Sequence, residues 1–148
     1  MTRYFLDTEF NGIGGDLISL ALVAENGAFL YLATECRNPV PWVAEHVIPI
    51  IDVENARPFH VKPYQFGDGI KSYLGDDPSP EIVADWPDDI RYFCQCMIIG
   101  PGQMINIRSI KFELCRVDSY PTTLPGTFQH NALWDARALR HKIMGEIS

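Results

Sequence analysis

The sequence predicts an α/β domain built around a mixed β-sheet. Three short apolar segments separated by turn residues open the chain, strand-like and helix-like segments then alternate, and a helix-spaced apolar pattern closes it. With 148 residues the chain has the size of one domain, so a single fold spans residues 1–148 and one core must absorb all of these elements.

Residues 3–10 (RYFLDTEF) and 16–24 (DLISLALVA) are short, apolar and rich in strand formers, and residues 11–15 (NGIGG) supply the turn of a hairpin between them. The Asn26-Gly27 pair is a two-residue turn signal that leads into a third antiparallel strand at 28–33 (AFLYLA). Short helices are expected at 41–47 (PWVAEHV) and 67–74 (GDGIKSYL), while the proline-spaced segment 49–63 between them carries no readable pattern. Residues 81–85 (EIVAD) form a strand running into a helix at 87–97 (PDDIRYFCQCM), with Pro87 at the first helical position. A further strand lies within 105–117 (INIRSIKFELCRV). The segment 131–147 (NALWDARALRHKIMGEI) places apolar residues at 132, 136, 139 and 143, one face of a helix.

Composition narrows the function classes. A chain that is 47% hydrophobic and 21% charged, with mean hydropathy near zero, is globular and not disordered. A net charge of −7 excludes a protein that coats nucleic acid with a broad basic surface. It suits a carboxylate pocket for a hard divalent cation, because such ions take oxygen ligands and offset the repulsion between acids placed together. The longest apolar stretch, Leu17 to Ala24, is far short of the roughly 20 residues that cross a bilayer, and no basic segment followed by an apolar run opens the chain. The expectation is a cytoplasmic protein with no membrane partner. Cys36, Cys94, Cys96 and Cys115 lack zinc-ligand spacing and read as small buried apolar residues in a reducing compartment.

Three acidic segments stand out against this background. Asp7 and Glu9, two apart in a strand, emerge on one face beside Arg3, either as a solvated face or around a divalent cation. In the helix after Pro87, the 3.6-residue period groups Asp89 with Trp86, Ile90, Phe93 and Met97, whereas Asp88 groups with Arg91 and Gln95. Asp89 therefore points at the sheet, and Asp88 suffices to complement the helix dipole. In His130-Asn131-Ala132-Leu133-Trp134-Asp135, histidine and aspartate converge only if His130 lies in the loop before the helix. Pro125-Gly126 supports such a loop; His130 or Asn131 then caps the helix, and Asp135 joins Ala132 and Leu139 on its inward side.

Asp7-x-Glu9 in a first strand, an inward Asp89 four residues after Asp85, and His130-x-Ala132-x-x-Asp135 opening a last helix resemble, over the whole chain, the three motifs of the DEDDh 3′–5′ exonucleases. The similarity is greatest to the small single-domain bacterial exoribonucleases, a branch that also resembles ribonuclease T and oligoribonuclease. Asp85 stands where many members carry asparagine, so Asp85 and Asp88 remain alternatives to Asp89 in the second motif. The resemblance implies a ribonuclease H-like fold. It further implies two Mg²⁺ or Mn²⁺ ions held by Asp7, Glu9, Asp89 and Asp135, with His130 as general base, releasing nucleoside 5′-monophosphates. Phe10, Asn11 and Gly12 would seat the terminal nucleotide, with Phe10 either stacking on its base or packing into the core. The implied partner is the 3′ end of single-stranded RNA, with single-stranded DNA, a non-catalytic nucleic-acid-binding module of the same fold and a nucleic-acid mimic as alternatives; a homodimer stays open.

Overall fold

The computed structural model describes residues 2–117 and 124–145. Strands β1 (Arg3–Phe10), β2 (Leu17–Ala24) and β3 (Phe29–Ala33) form the expected antiparallel meander, each starting within one residue of the position read from sequence. Gly12, Gly14 and Gly27 take left-handed φ values in the two turns, and the Asn26 side chain accepts the Ala28 N–H. Helix α1 (Pro41–His46) follows, then the two-residue edge strand β4 (Phe59–His60), helix α2 (Phe66–Leu74), strand β5 (Glu81–Ala84), helix α3 (Pro87–Met97), the small hairpin β6 (Ile98–Gly100) and β7 (Gln103–Met104), strand β8 (Lys111–Leu114) and helix α4 (Ala132–Met144). Residues 146 and 147, the expected end of the last helix, lie outside the described residues.

The main sheet has the order β4-β3-β2-β1-β5-β8, with β5 parallel to β1 and β8 parallel to β5. Three antiparallel strands followed by two parallel ones make this a ribonuclease H-like α/β arrangement, to which β4 adds an edge strand. The central strand β1 is buried from Tyr4 to Thr8, so neither of its faces is solvated over that stretch. Its even-numbered residues Tyr4 and Leu6 pack with Leu20, Leu22, Phe66, Ile70 and Phe93 under α2 and α3. Its odd-numbered Phe5 packs with Val83 and Leu139 under α4. Ala132 and Ala136 of α4 meet Ala21, Val23 and Tyr31 on that same face. The sheet is therefore the middle of three layers, and strand parity alone decides which helix each β1 side chain meets.

Three expectations change. Segment 49–63 contributes β4 through a parallel pairing of Phe59 and His60 with Leu32 and Ala33, too short to leave a pattern in sequence. The hairpin β6–β7 directly follows α3 where sequence showed no element. Trp86, grouped above with the apolar face of α3, is 47% exposed: it sits at the N-cap with extended φ and ψ, so helical phase does not govern it. Its indole N–H donates to Asp88, and the Arg116 guanidinium lies 4.8 Å from its ring.

Candidate active site

Asp7 and Glu9 share the odd parity of Phe5, so both project from the carboxyl end of β1 toward the α4 layer. The pairing with β2 shifts register between Glu9 and Phe10, a bulge that ends the regular ladder at this point. Thr8 has the opposite parity and faces the α3 layer. There its N–H and hydroxyl donate to Asp89 Oδ1 at 3.2 and 2.5 Å. Asp89, only 4% exposed, is thus clamped to the strand residue that separates Asp7 from Glu9.

In α3 the helical phase buries Asp89 and leaves Asp88 outside, while Asp85 lies before the helix. Asp88 is taken up by Arg91 and the Trp86 indole. Asp85 Oδ1 accepts the Val117 N–H at 2.8 Å and lies 3.6 Å from Arg116 Nε. Of the three, Asp89 is the one bonded to β1.

The start of α4 delivers the remaining residues. Asn131 is the N-cap: its side-chain oxygen accepts the Trp134 N–H, and its amide donates to the Ile50 and Ile51 carbonyls and the Tyr31 hydroxyl. His130 precedes it with a left-handed φ of 70°, an unusual conformation for a non-glycine residue, and its N–H donates to Asp135 Oδ2 at 3.1 Å. This reversal brings histidine and aspartate together although five positions on a continuous helix would separate them. One ligand atom each from Glu9, His130 and Asp135 lies within 4.8 Å of the others.

Electrostatics reflect the crowding. Burial pushes the Asp7 carboxyl well above its ordinary value, helped by the charges of Asp89, Asp135 and Glu9. Burial, then the charges of Asp135 and Asp89, do the same to Glu9. Burial pushes Asp89 and Asp135 up to about 7, against the hydrogen bonds from Thr8 and His130 that favour their ionised forms. His130 is held below the usual histidine range by burial and by His46, which keeps its imidazole neutral at pH 7. Asp7 Oδ2 is buried without a hydrogen-bond partner among the described residues. Carboxylates that repel one another around an orphaned oxygen, with one imidazole beside them, form a donor set suited to hard divalent ions such as Mg²⁺ or Mn²⁺.

The three residues after the acidic pair divide. The Phe10 ring is stacked on Tyr92, with centroids 4.7 Å apart. Asn11 staples the loop before α1 to the end of β1: its amide donates to the Asn38 carbonyl and its oxygen accepts the Val40 N–H, both at 2.8 Å. Gly12 takes a φ of 74° beside Val40, a conformation glycine adopts without strain. Two contributors escaped the sequence analysis. Thr8 was detectable in principle, since its parity points it at the helix that carries Asp89. The ring of Trp42 on α1, with its edge-on contact to His130, leaves no local signal.

No protein-family model matches the chain, and no curated protein matches it. The functional reading accordingly rests on the geometry of the site.

Proposed function

We propose that this protein is a metal-dependent 3′–5′ exoribonuclease that removes nucleoside 5′-monophosphates from single-stranded 3′ ends. One observation carries the reading: one ligand atom each from Glu9, His130 and Asp135 lies within 4.8 Å of the others at the carboxyl end of the central strand of a ribonuclease H-like sheet, with Asp7 on the same face of that strand and Asp89 of α3 bonded to Thr8 between the two acids. Asp7, Glu9, Asp89 and Asp135 would hold two Mg²⁺ or Mn²⁺ ions, which when bound supply charge neutralisation at the phosphate and stabilise the attacking and leaving oxygens.

The protein's own groups do the rest. The neutral His130 imidazole accepts a proton from the attacking water, and the His130 N–H bond to Asp135 together with the Asn131 cap fixes the backbone from which that ring projects. Thr8 keeps Asp89 turned toward β1. The water oxygen bonds to phosphorus, the bond from phosphorus to the 3′ oxygen of the penultimate nucleotide breaks, that oxygen takes up a proton, and the terminal nucleotide leaves with a 5′ phosphate.

The test uses RNA and DNA oligomers labelled at either end and incubated with Mg²⁺, Mn²⁺ or EDTA. The expected result is release of 5′-monophosphates from 3′-labelled RNA and a descending ladder from 5′-labelled RNA. EDTA should abolish both, a 3′ phosphate should slow both, and circular RNA should resist. Equal or faster cleavage of DNA would move the substrate to single-stranded DNA. Rapid internal cuts in circular RNA would assign an endonuclease, and no hydrolysis of any oligomer would leave a binding module.

A further inference from the structure

We infer that the free edge of β8 is a dimerisation edge, along which a second copy of this chain lays its own β8 antiparallel with Phe112 on the twofold axis. The inference is independent of the exonuclease reading. In the sheet order β8 stands last, with no further strand beside it among the described residues. All four of its residues are exposed, Phe112 at 36% and Leu114 at 45%. The Lys111 and Cys115 N–H groups donate to the Pro80 and Ala84 carbonyls on the β5 side. By strand alternation the backbone N–H and C=O groups of Phe112 and Leu114 therefore point away from the sheet. The opposite edge strand, β4, is two residues long, whereas β8 keeps a regular register with β5 and carries no proline, so two devices that protect an edge are missing.

This edge is its own complement. Ile110, Phe112 and Leu114 share the α3 side of the sheet, where Phe112 meets Phe93 edge-on and Ile110 joins the core, while Lys111 and Glu113 share the other side. Because the even-numbered residues point outward, an antiparallel copy must pair even with even. Centred on Lys111 or on Glu113, such a register sets like charges directly opposite each other. Centred on Phe112, it sets Phe112 against Phe112, Ile110 against Leu114, and Lys111 against Glu113 on both sides of the axis. The charged pairs then take the positions without ladder hydrogen bonds, where facing side chains come closest. A lone edge lysine discourages pairing; followed two residues on by a glutamate, it selects one register. Lys111 forms no ion pair among the described residues. The Glu113 carboxyl is hydrogen-bonded to Glu81, which holds it above its ordinary value against the weaker pull of Arg3, and the copy's lysine adds a cation to this acidic pair. Since β1, β5 and β8 run parallel and the copy runs the other way, the two candidate active sites lie at opposite ends of the joined sheet.

The experiment measures molar mass by sedimentation equilibrium over a dilution series for the wild type, Lys111→Glu, Glu113→Lys, an equimolar mixture of these two variants, and the double variant. The wild type should reach twice the chain mass and no more, because an isologous contact closes on itself. Each single reversal acts at two symmetry-related pairs and should weaken the dimer by about 10- to 100-fold. Mixing the two variants should restore it, since each then faces charges opposite to its own, and the double variant should pair with itself. Recovery in the mixture also shows that both variants are folded. Amide exchange should find the Phe112 and Leu114 N–H groups protected in the wild type and in the mixture, and open in either single variant alone. A wild type that stays monomeric throughout the series, single variants that associate as the wild type does, or a mixture no stronger than its parts would each overturn the pairing.

Discussion

Replacing Asp7 by Asn separates a repelling carboxylate cage from an ordinary polar cluster. The substitution keeps the shape of the side chain, leaves no cavity, and puts an amide donor beside the Glu9 carboxyl, so its main effect is to delete one charge. Burial and then the charges of Asp89, Asp135 and Glu9 raise the Asp7 carboxyl, and an amide in its place carries no charge to bury or to repel, so the relief is about 1–3 kcal/mol. For a chain of this size that raises Tm by about 2–10 °C.

The sign with pH follows from the upward direction of the shifts. A carboxyl raised in the folded state destabilises it once the pH climbs past its unfolded value near 3.8, and the full cost is reached above about 7. Thermal unfolding in EDTA should therefore show Asp7→Asn more stable than the wild type at pH 8 and no more stable near pH 4. Saturating Mg²⁺ should reverse the order, stabilising the wild type and leaving the variant behind. Hydrolysis should fall by more than the 10- to 100-fold typical of losing a group one step removed from a metal. A variant no more stable than the wild type at pH 8 in EDTA, joined to a wild type that gains nothing from Mg²⁺, would refute the cage.

Asp89→Asn should cost at least about 100-fold in turnover, whereas Asp88→Asn, which loses only an exposed contact to Arg91 and the Trp86 indole, should stay near wild type; comparable losses in steady-state assays would show the α3 phase to be irrelevant. His130→Ala should lower single-turnover rates by about 10²- to 10⁴-fold while Mg²⁺ affinity by calorimetry holds, and higher pH should restore part of the rate as solvent hydroxide replaces the base; lost affinity with normal turnover at saturating Mg²⁺ would make His130 a ligand. Asn131→Ala should destabilise by about 2–4 kcal/mol in denaturant unfolding, because it removes the α4 cap and strands the Ile50 and Ile51 carbonyls; an unchanged midpoint would mean water replaces the side chain.

Much of the site could be read locally. The spacing of Asp7 and Glu9 places both on one face of a strand, the helical period separates Asp89 from Asp88, and Pro125-Gly126 before Asn131 announces a loop and a cap. Each is a relation within one element, where backbone geometry leaves the residue types few choices. The same holds for the opening meander, whose glycine-containing turns set the hairpin connections. Relations between elements were not written there. Nothing in the period of α3 says that Asp89 approaches from the layer opposite α4 and is captured by Thr8, a bond spanning 81 residues. Nor does any pattern tell that α1 swings Trp42 against His130, or that two residues of the proline-spaced segment extend the sheet. Those outcomes depend on how layers stack around a common core. Periodicity names the face a side chain takes, and only the packing of the whole chain decides what stands opposite it.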